Sequence, residues 1–234
     1  MALVKFGGGI VAMAGKMAGN VFARNRSGSY VRQWTKPVNP QSARQVAIRN
    51  ILAFLAQEWK DTLTALQRGV WETYADAISM QNRLGESIKL SGFNHFIRSN
   101  SAIMTCGLSY VAAGPTELSL PETDPTFAIA ATADDQQIAI TFDDTEEWCD
   151  ENEAAMEILV GTPQKVTVNF FNGPFRYGEA IEGDSVTPPS SGDEITSPFT
   201  LVESQIIFCE ARIIRADGRI SNRFRAPATA VAAS

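Results

Sequence analysis

The hydrophobic positions of this chain change their spacing twice. Up to about Trp34 the apolar residues come in short β-prone runs, Val21-Phe22-Ala23 and Tyr30-Val31-Arg32-Gln33-Trp34. From Pro40 to Gly107 they recur every third or fourth residue, which is the helical period. Asn39-Pro40 reads as an N-cap followed by a first-turn proline. It predicts a helix from about Pro40 to Asp61 carrying Ala43, Ala47, Ile51, Phe54 and Leu55 on its apolar side. Thr64-x-x-Gln67 has the form of a capping box. It opens a second predicted helix to about Met80, with Leu66, Val70, Trp71, Tyr74 and Ile78 in one stripe. Gln81 to Leu90 reads as a loop around Gly85. Ser91 then caps a third helix bearing Phe93, Phe96, Ile97, Asn100, Ile103 and Met104 and ending near Cys106-Gly107.

Beyond Pro125 the period becomes two. Thr126–Thr132, Gln137–Phe142, Ala155–Val160, Lys165–Phe171, Phe199–Glu203, Gln205–Arg215 and Arg219–Arg225 are seven strand-like runs. Asp217-Gly218 between the last two is a hairpin signal. Seven short strands and a lone Trp148 fit an Ig-like or fibronectin-III-like antiparallel sandwich. The Ser-, Pro-, Gly- and Asp-rich stretch Gly183–Pro198 reads as a long loop, and the Ala-rich stretch after Pro227 as a fraying tail. The predicted fold class is therefore α+β. Its order is a Gly-rich arm with a hairpin (1–38), a three-helix module (39–112), a Pro-rich linker (113–125), an Ig-like sandwich (126–228) and a tail (229–234).

Charge sharpens this division. The first fifty residues hold Lys5, Lys16, Arg24, Arg26, Arg32, Lys36, Arg44 and Arg49 and no anion; the first acidic residue is Glu58. Residues 1–110 carry 13 Lys+Arg against 5 Asp+Glu, net +8, and residues 111–234 carry 7 against 21, net −14. Opposed poles of this kind suit contacts between subunits. The arm is read as the docking element, with Lys5, Lys16, Arg24, Arg26, Tyr30, Arg32, Trp34 and Lys36 as its partner-docking residues. Arginines beside Tyr30 and Trp34 could also meet phosphates and bases, but a pI near 4.9 for the whole chain favours a protein partner over nucleic acid.

A set of motifs adds a resemblance. Gly-x-x-x-Gly-Asn-Val-Phe-x-Arg-Asn-Arg-x-Gly-x-Tyr-x-Arg (Gly15–Arg32) is followed by Asn-Pro-Gln-Ser-x-Arg-Gln (Asn39–Gln45), Gln67-Arg68-x-x-Trp71 and Ser91-Gly92-Phe93-Asn94-x-Phe96. Together, over residues 10–105, these resemble a group of uncharacterised proteins of tailed-phage, prophage and environmental viral genomes. The resemblance implies a virion or assembly role and supplies no catalytic residues. The C-terminal half is similar in pattern to the Ig-like sandwiches appended to phage structural proteins.

No enzyme signature accompanies it. The single histidine, His95, lies on a helix without a nucleophile motif and reads as a capped or solvated helix residue. Gly7-Gly8-Gly9 lacks the Gly-Lys-Ser/Thr ending of a phosphate loop. Cys106, Cys149 and Cys209 are scattered and odd in number, which fits buried thiols better than a zinc site or a disulfide framework. The acidic run Asp143, Asp144, Glu146, Glu147, Asp150, Glu151 and Glu153 raises a calcium hypothesis, yet departs from the twelve-residue calcium-loop spacing and reads as a solvated loop or a face for basic partners. The N-terminal apolar run is too short and glycine-interrupted for a signal peptide or a membrane span.

The expectation is thus a non-enzymatic virion structural protein, folded in the host cytoplasm, with no cofactor and no membrane. It would act as a capsid decoration protein or a head–tail or tail component. Its partners would be other virion proteins or copies of itself, in a homo-oligomeric assembly. The alternative is a host-surface carbohydrate- or protein-binding module on the Ig-like domain, with Phe175 and Tyr177 as its aromatic candidates.

Overall fold

The computed structural model describes residues 2–3, 7–25, 28–36, 38–81 and 87–232. They fall into two compact units, Met1–Ala43 and Arg44–Ser234.

The first unit is a four-stranded antiparallel sheet in the order β1-β4-β3-β2. Its strands are β1 (Ala2–Leu3), β2 (Gly15–Met17), β3 (Asn20–Asn25) and β4 (Gly28–Gln33). Glycine makes the first tight reversal possible: Ala18 and Gly19 both take positive φ between β2 and β3. The β3–β4 ladder runs in unbroken register from Asn20↔Gln33 to Asn25↔Gly28. Not one described side chain of this unit is buried.

The second unit begins with α1 (Ala43–Gln57), which passes into a π-helical turn at Glu58–Thr62. The start at Ala43 corrects the expected start at Pro40. Asn39 spends its side chain on a local turn, accepting from the Gln41 amide at 3.4 Å, and Gln41 itself sits at φ +46°, outside the helical basin. The Thr64–Gln67 capping box forms as expected, with both reciprocal bonds, and opens α2 (Ala65–Ala77). Ser91 accepts from the Asn94 amide at the start of α3 (Gly92–Thr105), and Gly107 at φ +90° follows its end. Between α2 and α3 the short strands β5 (Met80–Gln81) and β6 (Ser87–Ile88) pair as a ribbon where a loop was expected; residues 82–86 and Gly85 within them lie outside the described residues.

The remaining strands are β7 (Ala128–Thr132), β8 (Gln137–Thr141), β9 (Ala155–Gly161), β10 (Gln164–Lys165), β11 (Phe175–Glu182), β12 (Asp193–Thr196), β13 (Gln205–Ile214) and β14 (Phe224–Val231). They form one mixed sheet path, β11-β9-β13-β14-β7-β8-β12, with β10 on β13. Only the β14–β7 pairing is parallel, and it is two residues long, Ala230↔Ala131 and Val231↔Thr132. The path thus consists of two antiparallel groups hinged at β14. Ile138, Ile140 and Ile195 from one group share a core with Met156, Ile158, Val160, Ile207 and Cys209 from the other. The outer side of β13 carries a further apolar contact: Ala102 and Ile103 of α3, with Cys106 at its end, pack with Ile214 and Ile220. This is an α+β fold with a sheet-rich C-terminal part.

Several strand expectations are corrected. Lys165–Phe171 is a strand only at its first residue, because its aromatic end folds back over the sheet. Phe199–Glu203 is not a strand: Phe199 is held by a local Ser197 turn and Leu201 by the Gln136 side chain. The expected Gly183–Pro198 loop contains β12, and the expected fraying stretch after Pro227 is the second half of β14, held at its end by Ala133 N donating to Val231 O at 2.8 Å. Arg219–Arg225 becomes strand only from Phe224; before that, Arg215–Arg219 closes a turn with Gly218 at φ +92°.

The proline-rich stretch 113–125 lies inside the second unit. Trp71 Nε1 donates to Ala112 O at 3.1 Å, and a Cβ on Gly114 would come within 2.8 Å of the Trp71 amide nitrogen. Asn100 brackets Val111, accepting from its amide at 2.6 Å and donating to its carbonyl at 3.1 Å. A Cβ on Gly218, in the turn after β13, would come within 3.1 Å of the Trp71 ring, so the indole lies between helix, proline-rich stretch and sheet.

Candidate partner-docking face

The N-terminal sheet gathers the expected docking residues unequally. In an antiparallel ladder, directly paired residues share a face and successive residues alternate. Lys16 pairs with Val21, and Val21 with Arg32; Ala23 pairs with Tyr30. Lys16, Arg32 and Tyr30 therefore lie on one face. Trp34 joins them: its amide donates to Gly19 O at 2.7 Å, and Lys16 Nζ lies 5.4 Å from the centroid of its ring. A lysine over an indole gains a modest cation–π attraction and keeps its remaining donors free.

Arg24 faces the other way. It pairs with Ser29, on the side of Phe22 and Val31, so parity separates it from the other cations. Lys36 follows Trp34 in an exposed, irregular segment. Lys5 and Arg26 lie outside the described residues.

The face is both cationic and aromatic, and it is open. Lys16, Arg32 and Lys36 are exposed, Tyr30 is half-buried and Trp34 is 49% exposed. No carboxylate exists in the first 57 residues to neutralise it. Such a surface can pair with carboxylates of a protein partner and offer flat apolar area at its centre.

The other sequence candidates distribute differently. His95 is fully buried, which corrects its reading as a capped or solvated residue. Its ring meets Tyr74 edge-on at 5.3 Å, and neither ring nitrogen has a partner among the described residues. Burial, and then Arg98 on the next turn of the helix, hold its imidazole below the ordinary value. All three thiols are buried and free, pushed up to about 12 by burial, which makes them poor nucleophiles.

The acidic run 143–153 is spread over several partners. Asp143 accepts from Thr145, and Asp144 from the Ser191 amide. Glu147 and Glu151 bridge to Arg215 at 3.0 and 2.5 Å, and Glu153 accepts from the Ser109 amide. Among the described residues no three His, Cys, Asp or Glu side chains are grouped to hold a metal ion. Glu146 lies with Glu117, Glu122, Glu147, Arg215 and Arg219 around a cleft of about 400 Å³; burial and then Asp143 raise its carboxyl above the ordinary range.

Of the two aromatic candidates for a binding module, Tyr177 lies in β11 beneath the Arg44 guanidinium at 4.6 Å, pushed up to about 12 by burial, and Phe175 is half-buried. Sequence reasoning passed over Phe170, which the structure leaves 71% exposed, with the Arg225 guanidinium near both its ring and that of Phe175. Its run of apolar neighbours, Val166 to Phe171, resembles a strand and hides it. No family model, no curated protein and no solved structure matches this chain.

Proposed function

We propose that this chain is a non-enzymatic structural protein of a tailed-phage virion, docking through the face formed by Lys16, Tyr30, Arg32 and Trp34. Its partners are carboxylate-bearing surfaces of other virion proteins or of further copies of itself. The observation that carries the reading is a cationic four-stranded sheet in which no described side chain is buried. A sheet whose described side chains are at most half-buried gains too little from burial to offset the ordering of its backbone, so another surface is needed to complete it. We read the two antiparallel groups of the large sheet as the halves of an Ig-like sandwich, the part such a protein would display. The resemblance of residues 10–105 to viral proteins supports the same setting.

The test is charge reversal on the open face. Lys16→Glu with Arg32→Glu leaves every buried contact untouched, so the chain folds. Its incorporation into virus particles should fall at least tenfold against the unaltered chain, because like charges now meet across the contact. Incorporation at the unaltered level would overturn the reading.

A further inference from the structure

The outer face of the β11-β9-β13-β14 group is only partly covered by α3. Its other end is closed by the segment 166–174, which turns back so that Phe171 lies over Gly161. A Cβ on that glycine would come 2.7 Å from the phenyl ring. Phe171 stacks on Phe208 with centroids 6.0 Å apart and meets Phe175 edge-on at 5.3 Å. Phe170 finds no such cover.

Arg225 lies beside it, its guanidinium 5.9 Å from the Phe170 centroid and 5.4 Å from that of Phe175. Arg223 and Arg225 both pair with Glu210, whose side chain is only 2% exposed. Two guanidiniums on one carboxylate leave a surplus positive charge at this spot, in a half of the chain whose net charge is −14. The patch also adjoins an unpaired sheet edge: among the described residues β11 pairs with β9 alone, through a ladder starting at Phe175. An exposed phenyl ring, a surplus cation and free peptide groups together suit an apolar side chain delivered next to a carboxylate.

The same chain carries such a group elsewhere. Val186 is 83% exposed on a turn held by side-chain hydrogen bonds. Asp184 Oδ1 accepts from the Val186 amide at 2.7 Å and the Thr187 amide at 3.3 Å, and the Ser185 amide donates to Asn152 Oδ1 at 3.0 Å. A turn already ordered loses little entropy on docking. Those backbone bonds also hold the Asp184 carboxyl below its ordinary range, so it stays an anion.

We propose that copies of this chain associate head to tail through these two surfaces. Val186 of one copy packs on Phe170 and Phe175 of the next, and the Asp184 turn faces Arg223 and Arg225. The contact is heterologous, so each copy offers one donor and one acceptor and the association extends into rings or chains. It is independent of the N-terminal docking face.

Sedimentation of the full chain over a concentration series tests it. The unaltered chain should form species larger than dimers. Phe170→Glu and Val186→Glu, both at exposed positions, should each weaken association at least tenfold. Mixed one to one, the two variants should form a dimer and stop there, since only one intact donor–acceptor pair remains. Leu66→Glu, at an exposed position outside both surfaces and outside the N-terminal face, should associate like the unaltered chain. An unaltered chain that stays monomeric at all concentrations, a Phe170→Glu variant that associates normally, or a mixture that stays monomeric would overturn the proposal.

Discussion

The hairpin β3–β4 and the pair β9–β13 are both regular antiparallel ladders, six residue pairs long, yet they stand in opposite environments. In β3–β4 no described side chain is buried. In β9, six of seven residues are buried, including residues on both sides of the strand. The alternation of the two sequences does not account for this: Val21-Phe22-Ala23 is as apolar as Ile158-Leu159-Val160. What differs is cover. β9 has the β7-β8-β12 group against one face and α3 with the Phe171 segment toward the other, so even its one acid, Glu157, is buried and must be paired by Arg212. The N-terminal ladder has hydrogen bonds and, among its described side chains, no buried core. Backbone pairing sets the register of a sheet, and burial sets its stability.

The largest disturbance of this contrast should come from Trp71→Ala. The indole is fully buried among Tyr74, Phe96 and Gly218 and donates to Ala112 O. Chemical denaturation should show a loss of about 4 kcal/mol. A loss below about 1 kcal/mol would mean that helices and sheet do not share their stability through this residue.

Acid should act on the second unit next in magnitude. The folded state holds the His95 proton less tightly than the unfolded chain does, because burial and Arg98 disfavour the imidazolium beside Tyr74. Stability from this site is therefore complete above the unfolded value of 6.5 and is lost as pH falls below it. His95→Gln should flatten that limb of the denaturation midpoint against pH. An unchanged limb would assign the acid sensitivity to another group.

The smallest effect belongs to the first unit. Phe22→Ala, at a half-buried position, should change the global unfolding free energy of the isolated chain by under about 0.5 kcal/mol. In the assembled state the same change should raise amide exchange across β3 and β4, if a partner supplies the missing cover. A cost above 1 kcal/mol in the isolated chain would show that the sheet already has a core.

Much of this fold can be read from short-range chemistry. The Thr64–Gln67 box, the Ser91 cap and the alternation at Ile138–Phe142 and Ile206–Ile213 each act within a few residues, so sequence suffices. β11 and β12 escape the same reading because they lie at the edges of the sheet, where Arg176, Glu179, Glu182 and Glu194 interrupt the apolar period. β14 escapes because Ala226 and Ala230 fill a tight interior with side chains too small to mark a period. In the docking face, composition pointed to the cations, but only the register shows that Arg24 is turned away from Lys16 and Arg32. A difference of one residue in the hairpin would have reversed that grouping.

The short parallel pairing of β14 with β7 also has a mechanical meaning. Tension applied between Ala128 and Val231 pulls these two strands along their length in opposite directions. The bonds at Ala131 and Thr132 are then loaded in shear and must yield together, whereas an antiparallel pair drawn apart at one end unzips a bond at a time. A protein anchored upstream of β7 and pulled from beyond β14 would carry the load through its most resistant geometry.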